Sequence, residues 1–199
     1  MSTTAIDFSV DSTLSKHSSR EALDRYYVEL MKENASVNLV SRETSRDDFN
    51  RLCAESLLPL ETLPERIGNY LDIGAGGGIP AVPLMQSGRI SGKCVLVERT
   101  RKKAASLQRI VNAIQLPGET VNRTFEELSL RDRFDLITLR YVKLDRTLLG
   151  KIIPLLSANG RFVYYSNTEI RSEKLNSELY GFADPVEGIL KHFTVFRTK

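Results

Sequence analysis

The stretch from Asn69 to Leu84, NYLDIGAGGGIPAVPL, constrains this chain more than any other. A short apolar run (Tyr70, Leu71, Ile73) carries one acid, Asp72, and breaks into glycines at 74, 76, 77 and 78. A second apolar run follows at once. Such a pattern folds as a buried strand that turns sharply into a helix. The glycines permit positive φ, and without Cβ atoms they let a ligand lie against the backbone. The next helix presents its unpaired first N–H groups beside the same turn. The stretch therefore predicts a turn that holds a nucleoside.

Two fingerprints compete for that turn. The dinucleotide pattern Gly-x-Gly-x-x-Gly requires glycine at 79 when counted from Gly74, and the residue there is Ile79. The Asp-x-Gly-x-Gly turn of S-adenosylmethionine-dependent methyltransferases matches at Asp72, Gly74 and Gly76. A turn that binds nothing is the bland alternative. Against it stands the backbone entropy that three adjacent glycines cost.

With 199 residues the chain is one domain, or one with an N-terminal appendage. Its 41% hydrophobic and 27% charged residues suit a soluble globular protein. It shows no membrane-spanning apolar run and no signal-peptide pattern, so a cytoplasmic protein without membrane contact is expected. The net charge of +3 leaves an anionic partner open without requiring one. Cys53 and Cys94 sit in apolar surroundings and read as buried free thiols. His17 and His192 form no ligand spacing, and no metal site is expected.

Residues 1 to about 17 are rich in Ser and Thr, lack periodicity and read as mobile or loosely docked. Ser18 or Ser19 caps a helix whose apolar face runs Leu23, Tyr26, Tyr27, Leu30 and Met31 and fades at Asn34. Ser45 with Asp48 resembles a capping box before a second amphipathic helix that Pro64 closes. Residues 1–64 thus read as a small helical cap, and 65–199 as the core. From Tyr70 strands alternate with helices: strands at Tyr70–Ile73, Lys93–Val97, around Thr120–Asn122, Phe134–Leu139 and Phe162–Tyr165. The helices between them are Pro80 to Gln86, Arg101 to Ile114, and Leu144 to Leu156, the last stopped by Asn159-Gly160. A last helix near Glu169–Leu179 and a strand His192–Arg197 complete the chain. The alternation predicts an α/β, Rossmann-like fold with a mostly parallel sheet.

Ligands of such sheets sit beyond the carboxyl ends of the strands. Glu98 ends the second strand, where a carboxylate accepts both hydroxyls of a ribose. Phe125 and Glu126 follow the third strand and offer an aromatic face and backbone groups to an adenine. Arg140 follows the fourth, near the reactive centre, where a guanidinium can fork onto a base or phosphate. Arg99, Arg101, Lys102, Lys103 and Arg109 form either a solvated helix face or a phosphate track, to which Arg42, Arg46 and Arg51 add charge.

These motifs together resemble the bacterial small-subunit ribosomal RNA guanine-N7 methyltransferases, the glucose-inhibited division protein B family. The likeness starts at Asn38-Leu39-Val40-Ser41-Arg42 and passes through Arg51 and Glu55-Ser56-Leu57. It is clearest at LDIGAGGGIPAVPL and continues through LVERTRKKAASL, RTFEEL, FDLITLRYV and PLLSANGRF. The resemblance implies a class I S-adenosylmethionine-dependent methyltransferase, with the cofactor held at Gly74, Gly76 and Ile79 and by Glu98, Phe125 and Glu126. It also implies Arg140 as the functional arginine and ribosomal RNA or a small-subunit particle as partner; a monomer is expected. The chain departs from the family's pattern on the substrate side. The family's Ala-Arg-Ala is here Leu139-Arg140-Tyr141, its Arg-His is Arg51-Leu52, the Asp before Ser-Leu is Glu55, and Ser166-Asn167 replace Lys-Gly. Its Pro-Gly-x-Pro-Leu is Pro80-Ala81-Val82-Pro83-Leu84. A divergent methyltransferase for another RNA or a small molecule, and a non-catalytic RNA-binding relative, stay open as alternatives.

Overall fold

The computed structural model describes residues 3–128, 131–167, 170 and 172–199. Eight strands form one sheet: β1 (Thr4–Ala5), β2 (Tyr70–Ile73), β3 (Cys94–Val97), β4 (Gly118–Val121), β5 (Phe134–Arg140), β6 (Leu156–Tyr165), β7 (Leu175–Ala183) and β8 (Leu190–Thr198). Their order is β1-β7-β8-β6-β5-β2-β3-β4. β8 runs antiparallel to both its neighbours and the other pairings are parallel. The central strands β2 and β3 are buried at every residue, which is why they read as unbroken apolar runs rather than alternating ones.

Six α-helices accompany the sheet: α1 (Val10–His17), α2 (Arg20–Asn34), α3 (Arg46–Leu57), α4 (Ala81–Gln86), α5 (Arg101–Ala113) and α6 (Arg146–Ile152). Side chains of β2 alternate between two cores. Tyr70 joins a cluster with Tyr26, Leu30, Phe49, Val82 and Leu107 from α2 to α5, whereas Leu71 and Ile73 join Leu148, Leu149 and Ile152 of α6. The parity matters for function, because Asp72 shares the face of Tyr70 and points beneath α2 and α3. Ser19 caps α2 by accepting from the Ala22 N–H, and Ser45 and Asp48 form the expected capping box of α3.

Three expectations are corrected. Residues 3 to 17 carry regular structure: β1 lies beside β7, and α1 is capped by Ser9 and held by Lys16 and His17 on Glu61, at 2.6 and 2.7 Å. A two-residue strand and a short polar helix leave no periodic signal. Asn159-Gly160 do not stop a helix: α6 ends at Ile152, and both residues lie inside β6. A Cβ on Gly160 would stand 2.7 Å from the Phe134 carbonyl oxygen, so this glycine serves a close strand approach where the β5–β6 register shifts. The helix expected near Glu169–Leu179 is replaced, from Leu175 onward, by β7, and Glu169 itself lies outside the described residues. Leu175, Leu179 and Phe182 have helix-like spacing, yet pairing with β8 decides the outcome. Cys53 and Cys94 are buried free thiols.

Candidate active site

The chain leaves β2 for β3 and β4 on one side, then returns to place β5 on the other. The crevice between diverging crossovers, outside the carboxyl ends of β2 and β5, is where open α/β sheets bind ligands. Here it receives the glycine turn and the segment after Arg140. The two meet closely: a Cβ on Gly74 would stand 2.6 Å from Cγ2 of Val142. Gly74, Gly76 and Gly78 take φ of +80°, +54° and +97°, values that L side chains rarely adopt.

A cavity of about 610 Å³ opens at this point, within the range of small-ligand sites. Gly74, Gly76, Ile79, Glu98, Phe125, Glu126 and Arg140 all line it. Gly76 faces it with bare backbone, since a Cβ there would meet only the Gly74 carbonyl oxygen, at 3.8 Å. Gly77 is held from behind, where the buried Tyr26 hydroxyl donates to its carbonyl at 2.9 Å. Glu98 is buried and accepts from the Gly76 N–H at 3.0 Å and the Thr100 N–H at 2.7 Å. Its carboxylate thereby links the end of β3 to the glycine turn. Phe125 is buried on the α6 side, in a short 3-10 turn, while Glu126 is exposed.

Asp72 does not line the cavity. It is buried beneath α2, where Oδ1 accepts from the Thr138 hydroxyl and Oδ2 has no partner among the described residues. Burial is the main cause that raises its carboxyl from the ordinary 3.8 to about 7. Thr138 in turn bonds the Tyr70 hydroxyl at 2.7 Å. Asp72 therefore supports the turn from below rather than facing a ligand.

Arg140 departs from expectation in another way. Its fork is aimed into the protein: Nη1 donates to the Leu52 carbonyl (3.2 Å) and the Ser56 hydroxyl (2.8 Å), and Nη2 to Glu55 (2.6 Å) and the Tyr141 hydroxyl (3.3 Å). Four acceptors meet the four Nη hydrogens and leave Nε–H. Arg140 also stands over Tyr165, 5.4 Å from the ring centre. It is at once a wall of the cavity and a strut between β5 and α3.

Beyond that wall lies a second hollow of about 510 Å³, which shares Arg140, Tyr141, Val142 and Lys143 with the first. Glu55 of α3, Tyr164 and Tyr165 of β6, Phe182 of β7 and Lys191 of β8 are among its other walls. The sequence marked five residues of this hollow without bringing them together: Arg140 as the functional arginine, and Glu55, Tyr141, Ser166 and Asn167 as departures on the substrate side. Tyr164, Tyr165, Phe182 and Lys191 carried no such mark, and their only local signal is the aromatic pair at the carboxyl end of β6.

The basic residues divide into two sets. Arg46 pairs with Asp24, Arg51 with Asp184 and Arg109 with Glu33, so these three serve the fold. Arg99, Lys103, Arg123 and Lys143 line the first cavity, and none has a carboxylate partner among the described residues. Exposed Arg42, Arg101 and Lys102 are likewise without one. No group of His, Cys, Asp and Glu able to hold a metal occurs among the described residues. No helix there is long and apolar enough to cross a membrane.

The family model described as "GidB: rRNA small subunit methyltransferase G" matches residues 19–183. A protein of Roseiflexus castenholzii named ribosomal RNA small subunit methyltransferase G is 32% identical over 164 residues, covering 80% of this chain and 70% of its own. One of the same name from Rhodopseudomonas palustris is 31% identical over 168 residues, covering 82% and 71%. Among solved structures, the O-methyltransferase of Bacillus cereus with SAH superposes at a TM-score of 0.64 with 17% identity, over 96% of this chain and 97% of that one. The N-methyltransferase NodS of Bradyrhizobium japonicum, in complex with S-adenosyl-L-homocysteine, gives 0.63 and 18%, over 88% and 99%. The fold is thus that of the class I methyltransferases.

Proposed function

The chain belongs to the GidB family, rRNA small subunit methyltransferase G, and on that premise we propose that it moves a methyl group from S-adenosylmethionine to N7 of a guanine in small-subunit ribosomal RNA. One observation carries the assignment to this site. Every residue marked for the cofactor or the reaction in the sequence, Asp72 excepted, lines one cavity at the switch point of the sheet.

The cavity suits the cofactor. Gly76 offers bare backbone where any side chain would fill the cradle. When bound, S-adenosylmethionine supplies a methyl on a sulfonium that leaves as a neutral thioether. Glu98 keeps the glycine turn in place through the Gly76 N–H, and its remaining lone pairs suit ribose hydroxyls. Phe125 and Glu126 stand at the wall proposed for the adenine.

Guanine N7 bears a lone pair and no hydrogen, so the chain has no proton to remove. Orientation and electrostatics remain as the sources of rate. Arg140 separates the two hollows; its Nη hydrogens are committed and the rings of Tyr141 and Tyr165 stand against its guanidinium, so Nε–H and the cation's field are what it brings to the substrate, and on that basis it is the catalytic residue of this reading. The N7 edge lies in the deep groove of an RNA helix, which side chains cannot read. The substrate guanine therefore belongs to a loop, a distorted helix or an incomplete particle. Unpaired cations at the rim favour RNA over a small-molecule acceptor. A cytoplasmic monomer completes the reading, and light scattering during size exclusion tests the oligomeric state.

The deciding experiment is transfer of a tritiated methyl into ribosomal RNA from cells lacking the protein. Incorporation into small-subunit RNA, with strand scission at the labelled guanine after borohydride and aniline, is expected. Label absent, or carried on a position other than N7, overturns the proposal.

A further inference from the structure

Tyr141 is the least ordinary residue near the site. It takes φ of +57°, and with Gln115 it is one of two non-glycine residues of positive φ among the described residues. For a bulky side chain that conformation is strained, and strain of this kind gathers at functional sites. Its side chain is also a large exposed apolar one, with 80% relative exposure. It sits on the rim shared by the two hollows. The ring is nonetheless held: Arg140 Nη2 donates to its hydroxyl at 3.3 Å, and the guanidinium carbon lies 5.0 Å from the ring centre.

An exposed ring, fixed by a buried arginine and standing beside a hollow of about 510 Å³, is a ready stacking surface. Every nucleobase has a π-face, and unstacked RNA bases are taken up on aromatic side chains. The geometry points to Tyr141 as the platform on which the target base stacks, the hollow walled by Tyr164 and Tyr165 being the seat it enters beside the cofactor cavity. This inference rests on the methyl-transfer reading above. It goes beyond it by naming a positioning residue at a place where this chain differs from the family's Ala-Arg-Ala pattern. The hollow's own polar groups suit a base edge rather than an apolar ligand: Lys143 donates, and Asn167, whose Oδ1 accepts from the His192 N–H at 3.0 Å, brings an amide. Lys191 is committed to Glu55 and Asp184, at 3.0 and 2.6 Å, so Lys143 is the freer of the two cations.

The absence of tryptophan from the chain supplies the test. Tyr141→Trp keeps a ring and introduces a lone indole whose emission a stacked guanine quenches. With naked small-subunit ribosomal RNA from cells lacking the protein, quenching is expected as the complex forms, filter retention reporting binding independently. RNA bound without quenching overturns the platform alone. RNA not bound at all overturns the reading beneath it as well. Methyl-transfer kinetics give the second measure. Tyr141→Ala is expected to raise KM for RNA roughly tenfold to a hundredfold, while calorimetry shows unchanged affinity for S-adenosylmethionine; Tyr141→Phe recovers most of that loss. An alanine variant with the KM of the natural chain, or one whose cofactor affinity falls in parallel, overturns the assignment.

Discussion

Two glycines of one turn are asked to do different things, and the difference is measurable. Gly76 faces open cavity, whereas a Cβ on Gly78 would stand 2.7 Å from Cγ2 of Val82 and 3.0 Å from Cδ1 of Leu107. Both need positive φ, at a cost of about 1–2 kcal/mol for any other residue. Gly76→Ala should therefore lower stability by about that amount and sharply weaken cofactor affinity. Gly78→Ala should cost more stability, because a packed core must also move. Thermal melts beside cofactor titrations decide it, and equal phenotypes for the two variants would refute the distinction. Asp72 makes a prediction of a different sign. Its folded-state carboxyl, raised to about 7, holds a proton that the unfolded chain has already lost above the ordinary 3.8. More protons on the native state mean that stability falls as pH rises through that window. Asp72→Asn removes the titration. The variant should thus gain on the natural chain between about pH 4 and about pH 7 in denaturant unfolding; a pH-independent difference would sink the argument. The sequence made Asp72 legible as part of the turn, but not its direction. Strand parity alone puts it with Tyr70, and which face is covered by α2 and α3 is a tertiary fact.

At the scale of elements, the strands and helices from Tyr70 to Tyr165 were legible wherever burial was uniform or the helix amphipathic. Of the C-terminal hairpin only β8 was legible, as the strand expected at His192–Arg197; β7 was not, because its apolar spacing also fits a helix. That hairpin has a specific task. Arg51 and Glu55 of α3 meet Asp184 at the end of β7 and Lys191 of β8, with distances of 2.6 to 3.1 Å among the Arg51–Asp184, Lys191–Asp184 and Lys191–Glu55 pairs. Arg140 of β5 joins them through Glu55, both side chains being 5% exposed. The helical cap is thereby fastened to the sheet by buried charge. Removing one partner of such a pair typically costs about 3–5 kcal/mol, and Lys191 beside Glu55 moves the expectation toward the lower end. Arg140→Ala should accordingly lower both turnover and the melting temperature, with cofactor affinity less affected. A loss of turnover at unchanged stability would mean that the strut carries no load. Asp184 adds a pH signature. Despite burial, hydrogen bonds from Lys191 and from the Val186 and Glu187 N–H groups hold its carboxyl well below the ordinary 3.8. Its contribution is complete above that value and is lost as pH falls below it.

Across the whole molecule, a net charge of +3 says little, and its distribution says more. The cations that the sequence grouped as one basic stretch are sorted by the fold. Arg109 turns to Glu33 on α2, whereas Arg99 and Lys103, from the same stretch, face the cavity without carboxylate partners among the described residues. Helix phase and the position of Glu33 separate Arg109 from Lys103, and Arg99 lies ahead of α5, which explains why spacing left both readings open. If the unpaired set carries the RNA backbone, binding must release counterions, and the logarithm of affinity must fall linearly with the logarithm of salt. Each phosphate contact contributes a slope of about 0.7 on single strands and about 0.9 on duplex. Replacing Arg99, Lys103, Arg123 and Lys143 together by alanine should therefore flatten the slope by about three when all four touch phosphate. Neutralising Lys16 and Lys32, which pair with Glu61 and Glu29 on the protein's own surface, should leave it unchanged. Filter binding across a salt series reads both slopes directly. Equal slopes for the two sets would mean that the rim attracts RNA no more than any other face, and the cavity would then need another way to find its base.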